Sequence, residues 1–358
     1  MSIKKKKVVL TGGGSTGHVS VNLALIPRLL DEGWDITYFG SKQGIERKLL
    51  ADFPEVRYEA ISTGKLRRYF SWTNVADAFR VVAGTFQAWA RLRRIRPSVI
   101  FSKGGFVSVP VVYAGHFNKI PSITHESDLT PGLANKLCYR YVHEVMLTFE
   151  ESMKYVPAEK AFYLGPVIRE QIRGGSAERG RRKYGFDGTK PILVVLGGSL
   201  GAGAVNQCIW DNLDALLARF DILHGTGAGK GDASVQRPGY VQVDYIQDGM
   251  NDTLAMADII ISRAGSNAIF EFLYYQKPML LIPLPTSQSR GDQILNAERF
   301  AEKNYARVLL EENLTPETLR SGIEELYRER EHIISAQQTF DFSDGVATII
   351  AELEKLAS

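Results

Sequence analysis

The sequence predicts an α/β protein made of two Rossmann-like, doubly wound domains. Three observations carry this. Short β-branched apolar runs alternate with helical patterns along the chain, the signature of parallel sheets. A strand, a glycine-rich turn and a helix occur in succession twice, at Val8 to Leu30 and at Ile192 to Leu217, so the two halves begin alike. At 358 residues the chain exceeds the size at which a single core keeps growing. The domains are expected at 1–165 and 166–340, meeting at a cleft lined by the C-terminal ends of both sheets. The last helical stretch, within 341–358, is a candidate for packing back onto the first domain.

In chain order, Val8 to Leu10 form a strand and Thr11 to His18, TGGGSTGH, a glycine-rich turn; Val19 to Leu30 continue as a helix. Glycines bend the backbone through positive φ and expose bare N–H groups, so Ser15, Thr16 and Gly17 belong to a loop that a phosphate or sugar can approach. Further strands are expected near Ile36 to Phe39, Arg57 to Ile61, Val99 to Ser102, Ser122 to Thr124 and Val145 to Thr148. In the second half, Ile192 to Leu196 lead into Gly197 to Ala202, GGSLGA, and a helix over Val205 to Leu217.

Hydrophobic content of 44% and charged content of 23% are ordinary for a folded globular protein, and a net charge of +3 identifies no partner. No nucleic-acid partner is expected. Cys138 and Cys208 lie far apart without CxxC spacing, which fits a reducing cytosol. No stretch approaches the roughly 18 to 20 apolar residues of a spanning helix, and the first lysines lead into a strand, as a signal peptide would not. A cytoplasmic location is expected.

The stretch Ile259 to Glu271, IIISRAGSNAIFE, is the centre of the second domain. Its β-branched run is a buried parallel strand ending at a turn that opens into a helix. The first N–H groups of a helix lack intrahelical partners and the dipole adds positive charge, so a diphosphate can sit there without a metal. Asn267 and Glu271 share one helix face, placing a carboxylate about 6 Å along from the turn, suited to a pair of ribose hydroxyls. Asp292 and Gln293 open another helix after a third strand, where they could bond sugar hydroxyls. The plainer reading of Asp292 is an acid complementing the helix dipole. No DxD, HExxH or clustered Cys or His suggests a metal, and no cofactor is expected.

Taken together, GGGSTGH at 12–18, HESD at 125–128, GGSLGA at 197–202, SRAGSNAIFE at 262–271 and DQILNA at 292–297 resemble the MurG family, the lipid II-forming N-acetylglucosaminyltransferases of bacterial peptidoglycan synthesis. The resemblance implies a GT-B fold, with UDP-N-acetylglucosamine held by the second domain and lipid I by the first. It implies metal-independent, inverting transfer to the C4 hydroxyl of MurNAc. It also implies Ser199 and Arg169 at the donor phosphates, Ile246 at the uracil, Ser266 and Asn267 at the diphosphate, Glu271 at the ribose, and Asp292 and Gln293 at the sugar. The chain departs from the family pattern at Ser15 and Thr16, at Val21 in place of a proline, at Asp128 in place of an asparagine, and at Asp292 in place of a glutamine. The alternatives are a GT-B enzyme with another lipid acceptor, an NAD-dependent oxidoreductase, or a nucleotide-sugar binder without catalysis.

The acceptor hydroxyl must lose a proton as it attacks, and imidazole titrates nearest the working pH. His18 ends the first glycine loop and is the leading candidate for the base. His125 with Glu126, and Asp128, are its rivals.

Between Gly64 and Pro97 a helical wheel gives a stripe of Val75, Phe79, Val82, Phe86 and Trp89, flanked by Val81, Ala88 and Leu92. Lys65, Arg67, Arg68, Arg80, Arg91, Arg93, Arg94 and Arg96 surround it, near Phe70 and Trp72. Cations beside an over-wide apolar face suit the anionic cytoplasmic face of a cell membrane, to which the protein would bind peripherally. The plainer reading is an ordinary crossover helix.

Overall fold

The computed structural model describes residues 5–64, 72–198, 201–246 and 248–358, with residues 72–76 as backbone only. Lys65, Arg67, Arg68 and Phe70 of the basic segment, the side chains of Trp72 and Val75, and Ser199 of the second glycine turn lie outside the described residues. The chain divides into two compact units, Met1–Arg169 with Ser343–Ser358, and Glu170–Phe342.

In the first unit, β1 (Lys7–Thr11), β2 (Asp35–Ser41), β3 (Arg57–Ile61), β4 (Val99–Ser102), β5 (Ser122–Glu126), β6 (Glu144–Leu147) and β7 (Ala161–Tyr163) form a parallel sheet ordered β3-β2-β1-β4-β5-β6-β7. Its crossovers carry α1 (Ser20–Asp31), α2 (Ile45–Leu49), α3 (Trp72–Ile95), α4 (Ser108–Phe117) and α5 (Leu133–Cys138). The central strands are continuous apolar runs because helices cover both faces of the sheet. Leu25, Ile26 and Leu29 of α1 fill one face with Val8 and Leu10. Ala88, Leu92 and Ile95 of α3 fill the other with Val9 and Ile100.

The second unit repeats the plan. There β8 (Ile192–Leu196), β9 (Asp221–Gly225), β10 (Tyr240–Val243), β11 (Ile259–Ser262), β12 (Met279–Leu281) and β13 (Arg307–Val308) form a parallel sheet ordered β10-β9-β8-β11-β12-β13. It is wrapped by α6 (Ala177–Tyr184), α7 (Gly203–Asp211), α8 (Leu213–Leu217), α9 (Met250–Met256), α10 (Ser266–Tyr274), α11 (Asp292–Glu302) and α12 (Pro316–Gln337). The single helix expected over Val205 to Leu217 is two helices, broken at Asn212. The buried Asn212 amide donates to the carbonyls of Cys208 and Pro316, 2.9 and 2.8 Å away, and so anchors the break to the start of α12.

The chain then returns to the first unit as α13 (Gly345–Ala357). Asp344 caps it by accepting from Ala347 N at 3.0 Å. Ile349, Ile350 and Leu353 enter the α1 core, and Lys6 pairs with Glu354 at 2.5 Å.

Helix α3 divides its apolar surface in two. Gly84, Ala88, Leu92 and Ile95 face the sheet, and a Cβ at Gly84 would lie 2.0 Å from the Ser62 carbonyl, so the helix lies close against the chain leaving β3. Phe79, Val82 and Phe86, spaced i, i+3, i+7, remain exposed at 71%, 54% and 68%. Trp89 does not share that exposure: it packs against the core with the Arg93 guanidinium 4.9 Å from its ring. Arg91 and Arg94 pair with Glu59, each at 3.3 Å. Successive turns of a long helix rotate relative to a fixed docking face, so its last turns bury residues that continue an exposed stripe. Among the described residues no helix is long and apolar enough to cross a membrane.

Candidate active site

Both sheets reverse their winding at one point, between β1 and β4 in the first unit and between β8 and β11 in the second. Loops leaving the two central strands there diverge and open a crevice, where doubly wound folds bind ligands.

In the first unit one side of this point is the glycine loop after β1. Its backbone is held from three directions. Asn22 donates to the Thr11 carbonyl at 3.0 Å, and the Tyr38 hydroxyl donates to the Gly12 carbonyl at 2.8 Å. The buried Glu46 carboxylate accepts from Gly14 N at 3.3 Å, from Ser41 N at 2.8 Å and from the Ser41 hydroxyl. Gly14, at φ 89, has no room for a side chain, since a Cβ would meet the Phe106 ring at 2.3 Å. Thr16, Gly17 and His18 form one 3-10 turn with Ser15 before it, and His18 is half-buried.

The other side is Ser102 to Val107, SKGGFV, after β4, which sequence analysis did not single out. Gly105, at φ 79, lies against the His18 imidazole, where a Cβ would be 3.1 Å from Cδ2. Lys103 is buried, and its ammonium donates to the Ser127 hydroxyl at 2.9 Å. Burial pulls its pKa down, against the raising influence of Glu126 and Asp128. A lysine followed by paired glycines after a buried strand was the available signal.

The HESD segment ends β5. His125 is buried in the sheet with Nε2 3.3 Å from the Thr148 hydroxyl. Burial, reinforced by Lys103, holds its pKa well below the usual imidazole range, so it is neutral. Glu126 is engaged by the loop that follows, accepting from Asp128 N at 3.1 Å, Gly132 N at 2.9 Å and the Asn135 amide at 2.9 Å. Asp128 itself is half-buried.

In the second unit all the strands run parallel, so the loops at their C-terminal ends share one edge of the sheet. Gly197 to Ala202 follows β8, the start of α10 follows β11, residues 282–291 follow β12, and the buried Ile246 follows β10. Several contacts fix the start of α10. Arg263 donates to the carbonyl of Ile282 at 3.0 Å and pairs with Glu311, and the Asn296 amide donates to the Ala264 carbonyl at 3.3 Å. Ser266 and Glu271 are buried and Asn267 is half-buried, all on this one helix. Gln293 accepts from Leu284 N at 3.1 Å, and Asp292 pairs with Arg290 at 3.2 Å. Both side chains therefore have protein partners in addition to any ligand. Arg169 is the last residue of the first unit's long segment. Among the described residues no group of three or more His, Cys, Asp or Glu could hold a metal ion.

Comparison with known proteins agrees with this architecture. Residues 8–147 match the glycosyltransferase family 28 N-terminal domain, and residues 192–352 the C-terminal domain of the same family. The UDP-N-acetylglucosamine–N-acetylmuramyl-(pentapeptide) pyrophosphoryl-undecaprenol N-acetylglucosamine transferase of Geobacillus kaustophilus is 49% identical, over 99% of both chains. The Staphylococcus aureus protein of the same name is 48% identical, over 94% of this chain and 95% of that one. Among solved structures, MurG of Acinetobacter baumannii aligns with a TM-score of 0.77 at 23% identity, covering 98% of this chain and 99% of that one. The calicheamicin glycosyltransferase CalG4 aligns with a TM-score of 0.71 at 15% identity, covering 99% of this chain and 98% of that one, a likeness of fold alone. With both family 28 domains matched in order, a two-domain GT-B fold, and full-length relatives at nearly half identity, the chain belongs to the MurG family of N-acetylglucosaminyltransferases.

Proposed function

We infer that this protein transfers N-acetylglucosamine from UDP-N-acetylglucosamine to lipid I, forming lipid II. The observation that carries this reading is the second unit's switch point, where the glycine turn after β8 and the start of α10 stand on neighbouring strands. Backbone N–H groups at a helix start neutralise a diphosphate by geometry and dipole. Ser266 and Asn267 would hold the diphosphate there with Ser199 and Arg169, Glu271 the ribose, and Ile246, at the β10 end of the same edge, the uracil. Asp292 and Gln293, beyond β12, would meet the sugar.

The first unit would hold the acceptor. The base removes the proton from the MurNAc C4 hydroxyl as its oxygen attacks the anomeric carbon. The bond from that carbon to the diphosphate oxygen breaks in the same displacement, its electron pair leaves with UDP, and the configuration inverts. His18 suits the base better than His125, because His125 is sealed in the sheet and Glu126 is occupied by its own loop. Asp128 is the remaining rival. Helix starts and Arg169, with no metal, would neutralise the leaving diphosphate.

Membrane attachment at the cytoplasmic face would use the exposed Phe79, Val82 and Phe86 of α3, together with the exposed Phe117 at the end of the neighbouring α4 and with Arg93, which lies over the Trp89 ring. Phe117 is an addition that the wheel of α3 alone could not supply.

The decisive experiment is turnover of radiolabelled UDP-N-acetylglucosamine with a lipid I analogue, run with and without EDTA. Labelled lipid II in both arms is the expected result. Loss in EDTA that Mg²⁺ restores would overturn metal independence, and turnover only with a different lipid acceptor would overturn the substrate assignment.

A further inference from the structure

A chain of hydrogen-bonded polar groups, half-buried at Trp210 and buried from Tyr240 onward, crosses the second unit from α7 to the end of β9. The Trp210 indole N–H donates to the Tyr240 hydroxyl at 2.8 Å. Tyr240 lies 3.0 Å from His224 Nδ1, and His224 Nε2 lies 3.1 Å from Asn206 Oδ1. The Asn206 amide then donates to the Thr226 carbonyl at 2.9 Å. His224 and Asn206 are buried at 0% and 1% exposure, so these groups bond one another in place of water.

The direction of every bond follows from its two ends. An indole N–H can only donate, so the Tyr240 oxygen accepts from Trp210 and turns its own proton toward His224 Nδ1. A carbonyl can only accept, so Asn206 presents its amide nitrogen to Thr226 and its oxygen to the imidazole. His224 must then carry its proton on Nε2. Both ends demand the same neutral tautomer, and burial lowers the pKa of His224 to about 4, which keeps the ring in that state.

The chain ends beside the glycine turn. Gly201 stands against the Thr226 carbonyl, where a Cβ would be only 2.3 Å from the oxygen. Thr226 N and Gly227 N donate to the carbonyls of Val243 and Asp244, at the start of the segment leading to Ile246. Asn206 also lies in the first turn of α7, its N–H on the Ala202 carbonyl at 2.8 Å. One relay therefore ties together the turn after β8, the end of β9 and the segment after β10.

We propose that Trp210, Tyr240, His224 and Asn206 are positioning residues for the nucleotide-sugar donor, holding the glycine turn and the Ile246 segment in register although none of them touches the reacting atoms. This rests on the donor-site reading above. Tyr240→Phe keeps the ring and deletes the proton that fixes His224, and Trp210→Phe deletes the first donor and serves equally should Tyr240→Phe fold poorly. Steady-state kinetics on the full chain, with UDP-N-acetylglucosamine and a lipid I analogue varied separately, are expected to give a donor KM raised about 5- to 10-fold, the scale of one buried hydrogen bond. The acceptor KM and kcat stay within about twofold of the unaltered protein. In ¹⁵N-histidine spectra, the Nε2–H signature of one histidine, absent in His224→Gln, changes in both variants. An unchanged donor KM alongside a changed His224 signature overturns the proposal, as does a fall in kcat with unchanged KM. If the unaltered protein neither turns over nor binds UDP-N-acetylglucosamine by calorimetry, the donor-site reading itself has failed, a result distinct from either.

Discussion

The carboxylate of Glu46, on α2, meets the backbone N–H of Gly14 at 3.3 Å, so a residue from the second crossover sets the curvature of the loop that ends in His18. Glu46 also accepts from the backbone and hydroxyl of Ser41. Glu46→Ala deprives these donors of their acceptor. Stability is expected to fall by about 2 to 3 kcal/mol in urea titrations, at the upper end for bonds to a charged group. Glu46→Gln, which keeps one carbonyl acceptor, should fall by less. Equal losses in the two variants would show that packing, and not the hydrogen bonds, is what Glu46 supplies.

His18→Ala is expected to lower kcat by about 10² to 10⁴ with donor affinity little changed, the range for a lost general base. Asp128→Asn should be nearly silent. A mild His18→Ala with a crippled Asp128→Asn transfers the role to Asp128.

Glu271→Ala should weaken donor binding, and Glu271→Gln should do so less, because a charged acceptor is worth about 1.5 to 3 kcal/mol per bond. Calorimetry with UDP-N-acetylglucosamine measures both. Unaltered affinity in each variant removes Glu271 from the site.

Replacing Phe79 and Phe86 together with serine should reduce binding to anionic vesicles at least tenfold, since burying each ring contributes about 1.5 to 3 kcal/mol. Arg93→Glu should reduce it further, by about 1 kcal/mol or more per cation lost. Neither change should alter UDP-N-acetylglucosamine binding. Trp89 is a poor choice for this test because it packs against the core. Vesicle flotation that persists in both variants would place the membrane surface elsewhere.

Stability should depend on pH through His224. Its folded pKa of about 4 lies below the ordinary imidazole value of 6.5, so the unfolded chain binds the proton more readily. The contribution is fully present above pH 6.5 and is lost as pH falls toward 4, about 3 kcal/mol at most. His125, also depressed, acts with the same sign. His224→Gln should flatten the stability profile between these limits in denaturant titrations. A profile as steep as that of the unaltered protein would mean other groups govern it.

The sequence alone determined the fold class, the repeated strand–glycine turn–helix and the glycine-rich and helix-start loops proposed to carry the chemistry, because each is a local pattern. Apolar runs, glycines and helix starts announce themselves within a few residues. It also determined the family, through five spaced motifs. Only the tertiary structure decided which loops are neighbours. Strand order is a non-local pairing with no sequence period, so nothing in Lys103-Gly104-Gly105 declared that it stands beside the His18 loop, nor in Glu46 that it holds that loop. The same reason accounts for His125 and Trp89. Each sits in a pattern that would suit an exposed site, yet His125 is buried and Trp89 is half-buried because of what the rest of the fold packs against them.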